Sequence, residues 1–264
     1  MTKIEVPDDH PRKVSLDMRE KIIEGHTLDI VATAGLLAHG RGEAFDYIIG
    51  ERTNELAVKA IRAAVAALLI AKHPIISVNG NVCSLVPEDL VLFSELVNAP
   101  LEINLFYYRR EREDAILKAL YDAGAKDVLG THDRPSETIS KLSHNRRKVD
   151  IEGIGAADVV VVPLEDGDRT QALRAVGKYI ITIDLNPMSR TAIYSNITIV
   201  DNIVRTMPLM VEHARVLRTW NKEDLQKLVS EFDNEENLRS TIQLMLKYLE
   251  AKSNEPIRNI PEVK

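Results

Sequence analysis

The 264-residue chain has one cysteine, Cys83, which leaves no intramolecular disulfide framework to form and fits a reducing, cytoplasmic setting. It has no surplus of positive charge: 34 Lys and Arg against 40 Asp and Glu give a net charge of -6. That balance argues against nucleic acid or an anionic membrane as main partner, while leaving room for a local basic pocket that takes a phosphorylated small molecule. The longest wholly apolar run, residues 63–71, is far too short to span a membrane and lies in an amphipathic pattern. The opening Met1-Thr2-Lys3-Ile4-Glu5 has neither the basic region nor the apolar stretch of a signal peptide. Familiar fingerprints are missing too. Without G-x-x-x-x-G-K-[ST] a P-loop is excluded, and Gly153-Ile154-Gly155 lacks the third glycine of a dinucleotide motif and precedes its strand. No spaced cysteines and histidines offer a zinc site, and no G-x-S-x-G elbow occurs. A nucleotide site here would need a less common design.

What is present points to an α/β fold. Val159-Val160-Val161-Val162, Ile180-Ile181-Thr182-Ile183 and Ile197-Thr198-Ile199-Val200 are apolar runs without polar alternation, as in parallel strands covered on both faces by helices. Each opens into polar residues: Glu165-Asp166-Gly167-Asp168, Asp184-Leu185-Asn186-Pro187, and Asp201-Asn202. Ligands in such sheets bind where strands end, so three such ends suggest one shared site. Two earlier strands are expected, Ile75-Ile76-Ser77-Val78 entering Asn79-Gly80-Asn81, and residues 101–106 ending near Asn104. Asn-Gly also signals a hairpin, but Pro87-Glu88-Asp89 promptly starts a helix and favours a strand-end loop. The expected organisation is a single domain, with a helical part over residues 1–74, a sheet core over 75–205 and terminal helices over 206–264.

Outside the strands, Ser15 is expected to cap a first helix that Gly25 ends or bends, and residues 27–38 to form a second. The following His39-Gly40-Arg41-Gly42-Glu43 reads as a loop whose backbone amides approach an anion; equally, His39 is a core or capping residue and Arg41 with Glu43 a surface ion pair. Residues 53–72 form an alanine-rich helix. Of Arg109, Arg110 and Arg112, one is expected to point inward, and residues 131–150 to form a surface loop or short lid. Asn221 and Asn234 are expected to cap two final helices, the last carrying the apolar stripe Leu238, Ile242, Met245 and Leu249.

Several candidate site residues also have plain structural explanations. Asp168 suits an N-cap with Gln171 and Gly177 completing the helix, which leaves Glu165 and Asp166 for magnesium beside phosphates or for solvent. Asp184 and Asn186 suit an Asx-turn or hydrogen bonds to a base or ribose, with Arg190 then meeting phosphate. Thr206 before Met207-Pro208 looks the better helix start, which frees Asp201 and Asn202 for a ligand.

Longer blocks carry a resemblance. His10-Pro11-Arg12, Arg19-Glu20-Lys21, the stretch 35–47, Ser77-Val78-Asn79-Gly80-Asn81, Asn104-Leu105-Phe106-Tyr107, and the stretches 163–170, 184–190 and 199–202 together resemble the archaeal phosphopantothenate synthetases, or 4-phosphopantoate:β-alanine ligases. The likeness runs over nearly the whole chain and departs at Cys83-Ser84 and in residues 131–150. It implies a homodimeric enzyme of coenzyme A synthesis on a Rossmann-like sheet. The enzyme would use ATP and magnesium to join 4-phosphopantoate to β-alanine, releasing AMP and pyrophosphate through an acyl-adenylate. It implies that ATP is held by Arg19, Arg41, Asp184-Leu185-Asn186, Arg190-Thr191 and Asp201-Asn202-Ile203. Loop position further suggests Asn79, Asn81, Asn104 and Arg112 for the phosphopantoate, and Glu165 and Asp166 for magnesium or the incoming amine, with Arg41, Glu165 and Asp166 closest to the chemistry. The competing readings are a non-catalytic nucleotide-binding regulator and a nicotinamide-dependent oxidoreductase, the latter disfavoured by the missing glycine fingerprint.

Overall fold

β-Branched residues with no polar side to turn outward build the centre of the molecule. The computed structural model describes residues 6–10, 12–139 and 148–255; Pro11, Arg146 and Arg147 lie outside them. Six parallel strands form the sheet: β1 (Pro74–Val78), β2 (Leu101–Ile103), β3 (Val128–Leu129), β6 (Val159–Val161), β7 (Tyr179–Ile183) and β8 (Ile197–Ile199). Their order, β3-β2-β1-β6-β7-β8, is that of a doubly wound Rossmann-like sheet, and the winding reverses between β1 and β6. Residues 131–150 are more than the expected loop, because β4 (Ser136–Thr138) and β5 (Lys148–Asp150) pair there antiparallel.

Strands this short make few ladder bonds, so covering their faces holds them, each aliphatic side chain contributing roughly 1.5–3 kcal/mol. Ile76, Val78, Val161, Ile181 and Ile183 point to one face, under α3 (Glu55–Ile70), α5 (Pro87–Val97) and α9 (Ile203–Leu217). Ile75, Val160, Val162 and Ile180 point to the other, against Leu173 of α7 (Gly167–Ala175) and Ile154. The two buried threonines within the apolar strands satisfy their hydroxyls on backbone, Thr182 on Val162 O and Thr198 on Ala192 O.

The N-terminal helices differ from their sequence reading. Helix α1 (Lys13–Thr27) starts before Ser15, whose hydroxyl donates back to Arg12 O, and it runs past Gly25. Helix α2 (Thr33–Ile49) passes straight through His39-Gly40-Arg41-Gly42-Glu43. The amides there belong to helical turns, so no glycine loop cradles an anion. Gly35, Gly40 and Gly42 inside the helix cost it up to roughly 1 kcal/mol each relative to alanine. Burial of Ile49, the pairing of the buried Asp46 with Arg205 and closure by Gly50 at φ +89° offset that cost.

Elsewhere Asn54 caps α3 by accepting from the amides of Leu56 and Ala57. Asn79 caps the short α4 (Gly80–Leu85) directly after β1, and Pro87 opens α5. Gly80 is required there, since a Cβ would lie 2.1 Å from Ile30 O. Of the three arginines, only Arg112 on α6 (Arg110–Asp122) is buried. Asn221 caps α10 (Lys222–Ser230) as expected, but Asp233 rather than Asn234 caps α11 (Asn234–Ser253). Asn234 instead donates to Ala192 O and Ser195 O. The α11 stripe buries Leu238 and Met245, while Leu249 stays exposed.

Candidate functional site

A cleft of about 630 Å³ opens at the C-terminal ends of the strands, across the point where the winding reverses. Ligands of doubly wound sheets bind at this position. Its floor consists of strand ends that turn at once into helices. Asn79 accepts from Val82 N and donates to the carbonyls of Pro163 and Leu164, which ties the end of β1 to the loop after β6. Asn81, also on the cleft, donates to Gly35 O.

The loop after β6 corrects the capping assignment. Asp166, not Asp168, is the N-cap of α7, accepting from Arg169 N at 2.9 Å. Asp168 lies exposed and pairs with Arg190 at 2.7 Å. Glu165 is not solvated either. Its side chain is 1% exposed, one oxygen accepting from Asp166 N and the other from Arg169 Nη1 at 2.7 Å. Arg169 is wholly buried beneath the loop and also donates to Ser77 Oγ, and burial pulls its pKa down to about 10. Sequence reading missed this arginine, which looked like one more polar residue in a helical first turn.

After β7, Asp184 makes the Asx-turn: its oxygens accept from Asn186 N and Ser189 Oγ. Burial raises its pKa, against the pull of those donors and of Arg41. Ser189 caps the short α8 (Arg190–Tyr194). Arg190 sits half in solvent, with Asp168 and Gln171 as partners, and Thr191 is buried with its hydroxyl on Glu165 O. Gly167 lets α7 and α8 touch, because a Cβ would fall 2.4 Å from that of Arg190.

The third strand end is also corrected. Helix α9 starts at Ile203, and Asn202 is its cap, accepting from Val204 N and donating to Asp46 Oδ2. Asp201 is fully buried, taking Thr53 Oγ1 and Arg205, so neither residue is left idle for a ligand. Arg205 spans Asp46 and Asp201 at 2.5 and 2.6 Å. Burial opposes its charge, but these two carboxylates outweigh burial and raise its pKa. Asn202 and Ile203 still line the cleft, whereas Asp201 stands behind it.

Over this floor lies a wall of helices. Arg41 and His39 project from α2, and the buried Nε2 of His39 has no partner among the described residues. Burial lowers the His39 pKa, so the ring is neutral at neutral pH. Glu43 holds Arg19 through Nε and Nη2 and also receives Arg12 and the hydroxyl of Tyr47. Burial would raise its pKa, but Arg19 and Tyr47 more than reverse that, so the carboxylate stays ionised. Arg19 itself does not line the cleft and is tied to it only through Glu43, which does.

Arg112 lines the cleft, its Nη1 on Tyr107 O and its buried Nε without a partner among the described residues. Asn104 is not with it. It lies in a second cavity of about 240 Å³ between β2 and the β4–β5 hairpin, with Leu105 bordering both spaces. Among the described residues no group of three or more His, Cys, Asp or Glu could hold a metal ion. One carboxylate meeting a magnesium that stays mostly on phosphates and water remains compatible with this donor set. Asp166, half-buried on the cleft, has that placement.

A sequence profile described as phosphopantothenate/pantothenate synthetase matches residues 56–248. A 4-phosphopantoate–β-alanine ligase of Thermococcus kodakarensis is 54% identical over 241 residues, 90% of this chain and 91% of that one. The ligase of that name from Methanosarcina mazei is 46% identical over 251 residues, 95% of this chain and 98% of that one. One from Methanospirillum hungatei is 45% identical over 202 residues, 76% and 82% of the two chains.

Proposed function

The chain belongs to the phosphopantothenate/pantothenate synthetase family, and from that premise we propose that it joins 4-phosphopantoate to β-alanine at the expense of ATP. The product is 4-phosphopantothenate, on the route to coenzyme A. A carboxylate resists attack by an amine because its leaving group is poor. Transfer of AMP to the phosphopantoate carboxyl gives a mixed anhydride, pyrophosphate leaves, and the amine then displaces AMP.

This chemistry asks for cations and amide donors around phosphates more than for a protein nucleophile. One observation carries the reading: the N-terminus of α9, Arg41 and Arg190 face one cleft at the reversal point of the sheet, with Arg19 joined to it through its ion pair with the cleft residue Glu43. In this reading Arg19, Arg41 and Arg190 take the phosphates. The turns Asp184-Leu185-Asn186, Thr191 and Asn202-Ile203 take ribose and adenine, and the buried Asp201 supports them from behind. Asn79, Asn81 and Arg112 lie along the part of the cleft left for phosphopantoate. Magnesium enters with the nucleotide as substrate and meets Asp166, while Glu165 acts by holding the loop through Arg169. The assembly is a single ligase domain that pairs as a homodimer in the cytoplasm, for which exposed Leu37, Ile193 and Leu246 offer apolar surface.

The test supplies ATP, magnesium, 4-phosphopantoate and β-alanine. AMP and pyrophosphate are expected only with both organic substrates, and ATP–pyrophosphate exchange with 4-phosphopantoate alone. ADP in place of AMP would replace the adenylate with an acyl phosphate. ATP binding without turnover would make the protein a nucleotide-binding regulator. Light scattering reads the dimer.

A further inference from the structure

Asn104 is 4% exposed, and its side-chain orientation is fixed because Nδ2 donates to Lys148 O at 3.2 Å. That leaves Oδ1 as a buried acceptor without a partner among the described residues. Buried amide oxygens are nearly always satisfied, so such an orphan calls for a donor from outside. It borders the second cavity, whose volume of about 240 Å³ is too small for a nucleotide and ample for a short amino acid. Across the space stand Glu113, 2% exposed with His132 on its carboxylate, and Arg134, which holds the buried Asp150. The lining therefore offers acceptors for an ammonium and cationic groups for a carboxylate. Arg134 is already engaged by Asp127, Asp150 and Glu152, so it would add charge to a carboxylate's surroundings without being a free guanidinium.

We propose that this cavity between β2 and the β4–β5 hairpin is the β-alanine subsite, with the amine on Asn104 Oδ1. The proposal rests on the ligase reading above and deepens it. Leu105 is wall to both cavities, so an amine held at Asn104 is one residue from the cleft in which the carboxyl group is activated. It also explains why Asn104 parts company with Asn79, Asn81 and Arg112. Sequence reading grouped all four on phosphopantoate, whereas the fold puts Asn104 in a different chamber.

Steady-state kinetics of the whole enzyme test it. Asn104→Ala is expected to raise the KM for β-alanine by about tenfold or more, the loss of one hydrogen bond to a charged amine, with KM for ATP and 4-phosphopantoate moving less than about twofold. Asn104→Asp, which keeps an oxygen acceptor, should recover most of the β-alanine affinity. A rise in KM for 4-phosphopantoate with none for β-alanine overturns the proposal, as does no shift in either. Should Asn104→Ala fail to fold, Thr131→Phe, which fills the cavity from its rim, is read the same way: a KM rise for β-alanine supports the site and an unchanged KM overturns it. Failure of the ligase reading is seen separately in the unmodified enzyme, as no AMP or pyrophosphate with all substrates present, and it overturns the subsite as well.

Discussion

Along the floor of the cleft, Asn79, Asp166, Ser189 and Asn202 each accept a backbone amide two or three residues ahead, whereas on the helical wall Arg19 finds Glu43 across 24 residues and Arg205 finds Asp46 across 159. The floor repeats one local device, a strand that stops at a capping side chain and becomes a helix. Its amides point at the cleft whatever the rest of the chain does. The wall has no local device. Its charges stand where they do because whole helices pack, and Arg19 and Arg205 are each held by a carboxylate far away in sequence. Local caps should therefore fail gently, and long-range pairs hard.

The sharpest way to break that contrast is at the joint between the two. Arg205→Ala leaves Asp46 and Asp201 buried without a counter-charge, and about 3–5 kcal/mol of stability should be lost, read by urea unfolding. A loss no larger than that of a cap would make the joint ornamental. Next, Arg41→Ala should cut kcat/KM for ATP by about ten- to a hundredfold, the range for hydrogen bonds to a charged group, while leaving the unfolding midpoint in place, since Arg41 is exposed. A fall in midpoint equal to the fall in activity would show that the wall uses this arginine for its own stability.

Asp166 separates the two principles within one residue. Asp166→Ala should cost about 1 kcal/mol as a lost cap. Asp166→Ser should restore the cap, and activity that stays low after that restoration would assign the carboxylate to magnesium. The pH-dependent test concerns Glu102, fully buried on β2 and accepting from the amides of Asp150 and Ile154. Burial pushes its pKa up to about 7 from 4.5, with those amides and Arg169 pulling the other way. The folded state thus keeps a proton that the unfolded chain has released, so this contribution is full below pH 4.5 and is lost as pH rises to about 7. The gap in stability between the unmodified protein and Glu102→Gln should shift in favour of the variant across that window. A constant gap would mean Glu102 ionises in the fold as it does in water.

Much of the floor was legible from local pattern. Runs such as Val159-Val160-Val161-Val162 have no polar alternation, and of the polar residues after the strands Asn79, Glu165, Asp166, Asp184, Asn186 and Asn202 are found on the cleft. The misplacements there were short steps along the chain, from Asp168 to Asp166 and from Thr206 to Asn202, because either residue type can cap and only the backbone path decides which does. The wall was misread more deeply. His39-Gly40-Arg41-Gly42-Glu43 has loop composition, yet it is helix, and its only local hints were Tyr47 one turn beyond Glu43 and Gly50 as terminator. Arg169 gave no hint, since nothing in a helical first turn announces a wholly buried guanidinium.

By itself the sequence determined the parallel strands, the polar character of their ends and hence the edge of the sheet on which to look. Those features are settled by neighbours a few residues apart and by whether a run of side chains has any face that water could tolerate. Only the tertiary structure decided that α2 stays helical through its glycines, that Arg205 joins Asp46 to Asp201, and that Asn104 sits apart from Asn79. Those outcomes depend on which charges and amides are taken from water together. Desolvation is a property of packed elements, and no window along the chain contains it.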